Sequence, residues 1–380
     1  MLRRLIWPLA VALVFVASMP LVNGWVAHRL ATQLVPQLGM KVLSHQYRWG
    51  YLTGQETYQL ANNHHREQVR INCQYWGLGP KAVIFINQRE LLTSQWRWHL
   101  GSLSITGQHH YVGSNPLFRQ LTITTQISPT RLTHKVRLAH YQQHFAQQDG
   151  ALKVSQFQFD TQASYPRFKI LSAQHTTWHY QLKLDNLSID SQALQFQLKG
   201  LQMQTQIDPA NPLSHYKSDL QFALLHWRRG ALPIDLEHVN TQITMQASRQ
   251  AIANLNTLQL STRWQEQLAP LIANGLHIRF NPLVMHSHQG KMELTASLAI
   301  APTTLSHSSL DGSLLLQNAS LELHAKTNTQ FIDNLLPDAW LAFTERAIAN
   351  GLIKQQGNIL TANWIYQRGE LKQKPDPNPS

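Results

Sequence analysis

Histidine is the residue type that first invites a chemical reading. The chain holds 20 histidines in 380 residues. His64-His65, His109-His110 and His286-Ser287-His288 are the densest groups. On a strand, positions i and i+2 share a face, so His286 and His288 could grip one ion. A metal site needs a third ligand, usually with a carboxylate or thiolate nearby. No third ligand follows from the spacing, and no His-Glu-x-x-His helix is present. The sequence alone therefore assigns no metal ligands and no cofactor, and the histidines read as uncharged polar surface. Other chemistries find as little. There is no Gly-x-Ser-x-Gly elbow to expose a nucleophilic serine, and no Gly-rich phosphate loop. Asp185, Asp190 and Asp208 are scattered, so no carboxylate pair stands out for acid/base work. Cys73 is the single cysteine, which excludes an intrachain disulfide and a cysteine zinc motif. It is expected to be buried rather than reactive. No catalytic residue is assigned, and the chain is expected not to be an enzyme.

Composition narrows the partner. The net charge is +12, but it rests on only 32 Lys and Arg against 20 acids. Phosphate binding needs clustered basic residues, and here they are dispersed, so nucleic acid is not an expected partner. A diffuse positive field suits an anionic lipid surface better. Charged residues make up 14% of the chain and hydrophobic ones 43%. Abundant aromatics argue for a folded chain with a neutral polar surface.

The elements that would position any site begin with an apolar N-terminus. Leu5 to Val22 carries no charged residue. As a helix it would span about 27 Å, close to a bilayer's hydrocarbon thickness. Arg3 and Arg4 precede it, which favours a cytoplasmic N-terminus. Trp7 and Trp25 lie near its ends, where indoles prefer the interface. The flanking residues make poor signal-peptide cleavage sites, so an uncleaved, single-pass anchor is expected. Ala27, Leu30, Ala31, Leu34 and Val35 recur at helical spacing, which predicts a continuing stalk that ends near Pro36 and Gly39.

From about Tyr47 the period becomes two. Phe157 and Phe159 alternate with glutamines. So do Leu194, Phe196 and Leu198, and, after Gly200, Leu201, Met203, Thr205 and Ile207. Met292 to Ile300 and the leucines 314, 316, 321 and 323 follow the same beat. This predicts antiparallel strands with one buried and one wet face, about ten residues apart. Gln265 to Gly275 and Phe331 to Gly351 break the rhythm and read as helical, the second interrupted at Pro337. The expected fold is mainly β (α+β): an N-terminal transmembrane helix, an extended antiparallel β-sheet ectodomain, and a few helices near the C-terminus. The expected organisation is anchor and stalk over 1–35, a β-rich region over 36–250, a mixed region over 251–371, and a disordered tail over 372–380.

Three motifs carry a family resemblance. Leu276-His277-Ile278-Arg279-Phe280-Asn281-Pro282-Leu283, followed by His288-Gln289-Gly290-Lys291-Met292-Glu293-Leu294, resembles a strand, Pro-Leu pair, Gly turn and strand of the YdgA-like family of bacterial proteins of unknown function. Tyr47-Arg48-Trp49-Gly50-Tyr51-Leu52-Thr53 resembles that family's early motif. Tyr366-Gln367-Arg368-Gly369-Glu370-Leu371 resembles its closing hairpin. The family's Asp/Ser-His-Gly-Pro segment has only Gly77-Leu78-Gly79-Pro80 as a counterpart, without the His. The resemblance implies an inner-membrane-anchored periplasmic protein that self-associates, and brings no activity. Tyr47, Arg48, Gly50, Pro282, Tyr366, Arg368 and Gly369 are the candidate motif residues, with structural roles expected ahead of ligand contact. Gly50 and Gly369 are expected to allow positive φ or close backbone approach at turns, and Arg48 and Arg368 to pair with Glu56 or Glu370.

The functional expectation is a periplasmic scaffold or interaction protein of the cell envelope. Its partners would be the bilayer through the N-terminal helix, a second copy of the chain, or an envelope protein. The alternative is a lipid-binding or lipid-transfer protein with an apolar sheet groove, lined by residues such as Phe196, Leu198, Leu201 and Met203. A less favoured alternative is an envelope hydrolase.

Overall fold

The computed structural model describes residues 19–25, 27–28, 31–32, 41–61, 66–76, 79–145, 150–166, 176–191, 194–209, 213–229, 232–248, 274–302, 317–335 and 338–373. The described strands form one large antiparallel sheet, in agreement with the expected β-rich class. Two compact units share the chain: residues 1–138 with 160–173, and residues 139–159 with 174–380.

In the first unit, residues 19–25, 27–28 and 31–32 are helical (α1). Then come β1 (Lys41–Trp49), β2 (Thr53–Ala61), β3 (Arg66–Gln74), β4 (Lys81–Ile86), β5 (Arg89–His99), β6 (Ser104–Tyr111), the short helix α2 (Pro116–Arg119) and β7 (Thr122–Ile127). β8 (Arg131–Phe145) and β9 (Gly150–Ser164) contribute to both units. The second unit continues with β10 (Thr177–Asp190), β11 (Gln195–Asp208), β12 (Leu213–Arg229), β13 (Leu232–Ser248), β14 (Leu276–Ser287), β15 (Gly290–Ile300) and β16 (Ala319–Asn328). Helices α3 (Thr329–Leu335) and α4 (Asp338–Ala349) and strands β17 (Ile353–Gln356), β18 (Ile359–Gln367) and β19 (Glu370–Gln373) close it. α3 ends and α4 begins on either side of Pro337, where the sequence predicts the interruption.

Each strand from β1 to β7 pairs with its sequence neighbour, and so does each from β10 to β16. β18 then lies along β16, and its other edge is shared by β17 and β19. Tight turns make this possible. Asn87-Gln88 joins β4 to β5 and Arg368-Gly369 joins β18 to β19, each with both residues at positive φ. That geometry matches the right-handed twist of the flanking strands.

No described helix is long and apolar enough to cross a membrane. Most of the apolar stretch from Leu5 lies outside the described residues. The expected stalk is corrected over the residues described. In its place α1 packs on the sheet: Ala27 and Ala31 lie against a core of Tyr58, Leu60, Val69, Ile71, Cys73 and Tyr75. Positions 24, 27, 28 and 31 share one helix face, and the small residues among them let the backbone come close. A Cβ on Gly24 would already meet the Tyr75 ring at 3.1 Å.

The second unit departs from the predicted spacing of about ten residues between strands. β10 to β13 run for 14 to 17 residues. The sequence carries its alternation on after Gly200, and β11 passes through it. In register, Asp185, Gly200, Ala223 and His238 lie side by side across these four strands. Gly200 has φ +64° and His238 has φ +49°, and Gln156 of the neighbouring β9 has φ +53°. The apolar pattern changes parity at this row. On one side Leu182, Met203 and Leu220 form a cross-strand row, as do Trp178, Ile207, Tyr216 and Met245. On the other side the rows are Leu187–Leu198–Leu225–Leu236 and Ile189–Phe196–Trp227–Ile234. Leu184 and Leu187 are three residues apart and would face opposite ways in a regular pleat. The left-handed residues fall on alternate strands, at Gln156, Gly200 and His238 but not at Asp185 or Ala223, and the register is the same on both sides of the row. Gly200→Ala is expected to cost about 1–2 kcal/mol from the left-handed backbone alone. The added Cβ would also crowd the Ala223 Cβ at 3.1 Å. Urea unfolding of wild type and variant measures it, and an unchanged midpoint would show that the row has no conformational demand.

Candidate functional site

The site is built where α1 crosses β1 and β2. Gly54, Glu56, Tyr58 and Leu60 share the inward parity of β2, and their neighbours across β3 are Cys73, Ile71 and Val69. Glu56 is thus a carboxylate set among Tyr58, Leu60, Val69, Ile71 and Cys73, and it is 2% exposed, while Glu67, opposite Leu60, is a partly buried acid of the same face. A bulge in β1 at Leu43 shifts the register between Val42 and Ser44. It brings His45 and Tyr47 opposite Tyr58 and Glu56, on the face that already holds Val42. α1 supplies His28 one turn beyond Gly24 on the same helix face.

Three side chains converge on Glu56. His28 Nδ1 lies 3.1 Å from Oε1, His45 Nε2 lies 3.2 Å from Oε2, and the Tyr58 hydroxyl donates to Oε2. A buried carboxylate is tolerated only when hydrogen bonds or opposite charge replace its water, and this shell supplies both acceptor sites with partners. The rings are held in a stack. His28 lies 4.1 Å from Tyr47, and His45 lies 4.3 Å from Tyr58, both nearly parallel. Beneath them Tyr75 is hydrogen-bonded to Tyr47 through their hydroxyls. Burial, the Glu56 hydrogen bond and the Glu56 charge push the Tyr58 phenol far above its ordinary range. Burial together with the Glu56 charge pushes the Cys73 thiol up to about 12, so Cys73 is an inert core residue, as the sequence suggests.

The same crossing is latched by Asn23. Its side-chain nitrogen donates to the Tyr75 carbonyl at 2.8 Å, and its oxygen accepts from the Trp98 indole at 2.7 Å. A fully buried asparagine needs both partners.

The motif residues divide. Tyr47 belongs to the site. Arg48 is exposed beside it, opposite Gln55, and Glu56 is held by histidines and tyrosine instead. Gly50 starts the β1–β2 turn, with its N–H on the Thr53 carbonyl at 2.8 Å. It is absent from the positive-φ glycines, so of its two expected roles the close backbone approach is the one that applies. A Cβ there would come within 3.1 Å of the Thr53 carbonyl, which is a spatial reason for glycine. In the second unit, Pro282 sits at the register shift between β14 and β15, where a missing N–H costs no ladder bond. Tyr366 lies between Leu321 and Leu371 on neighbouring strands. Arg368 and Gly369, at φ +52° and +84°, make the closing turn, and Glu370 pairs with Lys372 rather than with an arginine.

The dense histidine groups do not converge. His64 and His65 lie outside the described residues. His109 is buried between Ser94 and Thr125, at 2.7 and 3.0 Å, while His110 is exposed. His288 lies 3.4 Å from Glu237, and His286 meets His238 edge-on. Among the described residues, His28, His45 and Glu56 are the one set of three metal-capable groups with ligand atoms within 4.8 Å of one another.

The second candidate is the apolar face of β10 to β13 in the other unit. Leu182, Leu201, Met203, Leu220 and Phe222 are all only half-buried. The opposite parity carries a polar ladder: Gln221 donates to Gln202 at 3.1 Å and Gln242 to Asp219 at 2.7 Å. Compared with known proteins, the chain matches no protein-family model, no curated protein and no solved structure.

Proposed function

We propose that this chain is a membrane-tethered protein of the bacterial cell envelope, with its sheet on the extracytoplasmic side, and that it handles lipid on the apolar face of β10 to β13. The observation that carries the reading is the change of parity at the row of Gly200 and His238. A sheet whose only task was to close a core would not need its apolar set carried along 14- to 17-residue strands. A strand of 17 residues extends about 55 Å, longer than a phospholipid's acyl chains. Leu182, Met203 and Leu220 form one of its apolar rows and remain partly open. The opposite parity mixes glutamines with charges of both signs, such as Lys183, Lys217 and Asp219, and keeps the other face wet. The apolar N-terminal stretch supports the tether and the two arginines its orientation.

A second reading, the envelope scaffold, draws on the sheet edge. Among the described strands, β1 pairs only with β2, and a free edge is an association surface.

The two readings separate in one experiment. The full chain is extracted in mild detergent and its lipid content measured by native mass spectrometry. Lipid handling predicts stoichiometric phospholipid, reduced at least about tenfold in a Leu182→Gln/Leu220→Gln variant. Phospholipid at equal levels in wild type and variant would sink the reading, as would none at all. Self-association that persists in the lipid-free protein would move the scaffold ahead.

A further inference from the structure

We propose that His28, His45 and Glu56 form a binding site for one divalent transition-metal ion of the zinc type, a role independent of the lipid reading. The donor set is two imidazole nitrogens and one carboxylate oxygen, the composition of open zinc sites in which a water completes the shell. The spacing fits. Ligands about 2.0–2.1 Å from a tetrahedral ion stand about 3.3 Å apart. His28 Nδ1 stands 3.1 Å from Oε1 and His45 Nε2 stands 3.2 Å from Oε2 of Glu56, so each imidazole faces its own carboxylate oxygen, and one ligand atom from each of the three residues lies within 4.8 Å of the others. Binding would draw the two imidazoles inward onto one ion held by the carboxylate.

Two further observations separate this arrangement from simple solvation of a buried acid. First, both imidazoles are oriented by packing as well as by the carboxylate. Tyr47 and Tyr58 lie face to face with them, so the nitrogens stay aimed at Glu56 when their protons leave. Second, the site is closed below and open above. Glu56 is 2% exposed, whereas the side chains of His28 and His45 are 34% and 29% exposed. An ion can therefore arrive from solvent and keep a water on that side. On binding, the ion would occupy the Glu56-facing nitrogen of each ring, and any proton there would move to the other nitrogen or to solvent. Each neutral ring then carries its proton on its other nitrogen, and no oxidation or reduction is involved. Imidazole and carboxylate together favour zinc over the hard cations magnesium and calcium.

The ligands come from three elements, α1, β1 and β2. The bound ion would therefore staple the helix to the sheet, adding to the Asn23 latch.

The test uses the full chain, stripped with a chelator and titrated with zinc chloride and, separately, with cobalt chloride. Expected are one tightly held zinc per chain, visible d–d absorption of tetrahedral cobalt with nitrogen and oxygen ligands, and an affinity about 100-fold weaker in His45→Ala and in Glu56→Gln, in line with the loss of a ligand or its partner. His286→Ala and His288→Ala should bind as wild type does. Circular dichroism establishes that the variants fold, and the wild-type cobalt spectrum decides the matter if they do not. Zinc bound by several weak sites and unaffected by His45→Ala, or octahedral cobalt in the wild type, would overturn the assignment.

Discussion

Tyr75→Ala is expected to lower the stability of the first unit by about 4 kcal/mol and to release α1 from the sheet. Tyr75 is 1% exposed and lies in the core between β2 and the helix. Its ring fills the space that glycine leaves at two positions: a Cβ on Gly54 would overlap the Tyr75 hydroxyl, and one on Gly24 would press on its ring. Its carbonyl holds Asn23. Truncation therefore leaves a cavity under the helix, and the two glycines flanking it have no side chains with which to fill it. The cost adds a cavity term to the lost transfer energy. Tyr75→Phe keeps the ring and loses only the hydroxyl bond to Tyr47, at about 1 kcal/mol. Urea unfolding of the first unit's transition measures both, and hydrogen exchange of residues 19–32 reads the release. Equal effects of the two substitutions would mean that the hydroxyl, not the ring, anchors the helix.

The second large effect is on acid. Burial pushes His109 down to about 4, and repulsion from His134 and His110 adds to the shift. Burial pushes His134 down as well. His109 sits with Ser94 on one ring nitrogen and Thr125 on the other, and Trp96 packs edge-on against it. Thr125 in turn joins His134 at 2.9 Å. The folded-state value lies below the ordinary 6.5, so the unfolded chain takes up the proton first as pH falls. Stability conferred by neutral His109 is complete above about 6.5 and is lost progressively down to about 4. At pH 5 the expected loss relative to pH 7.5 is about 2 kcal/mol from this residue. His109→Gln can keep both hydroxyl partners without titrating. Its unfolding free energy should therefore fall less between pH 7.5 and 5 than that of the wild type. Parallel pH profiles for the two proteins would show that His109 does not carry the acid sensitivity.

Much of the fold was legible because period-two alternation is local. Met292 to Ile300 reads as a strand, and β15 spans it. Arg368-Gly369 reads as a turn from the closing motif, and both residues adopt the φ that a two-residue turn demands. The late helical region is helical over α3 and α4, and Pro337, where the sequence predicts an interruption, lies outside the described residues. Gly200 was harder. The change from Phe196 and Leu198 to Leu201 and Met203 is plain in the sequence, but a glycine between alternating runs is also what a hairpin looks like. Only the neighbours decide: Ala223 and His238 lie beside Gly200 in register, and a reversal there would break three strands at once. Gln265 to Ala273 and the leucines 314 and 316 fall outside the described residues.

The metal-capable set was not legible. His28, His45 and Glu56 belong to no short motif, because each comes from a different element. A helix crossing brings one of them in, and a bulge aims another. The usable signal was weak but real: Glu56 is the one acid on an inward parity otherwise held by Gly54, Tyr58 and Leu60. A charge on the apolar side of a strand asks for partners, and β1, the next strand in the meander, offers histidine and tyrosine at the facing positions.

The meander itself bears on how the chain acquires its structure. Almost every pairing joins strands consecutive along the polypeptide, so loop-closure entropy is small at each step. A chain delivered N-terminus first could add hairpins in order of emergence, each new strand zipping onto the one before without waiting for distant sequence. The exception is β18, which must pass over α3, α4 and β17 to reach β16. That closure is the longest-range step in the second unit, and the β18–β19 hairpin joins the rest of the sheet only through it. The C-terminal hairpin should therefore be the last part of the protein to gain protection from hydrogen exchange during refolding.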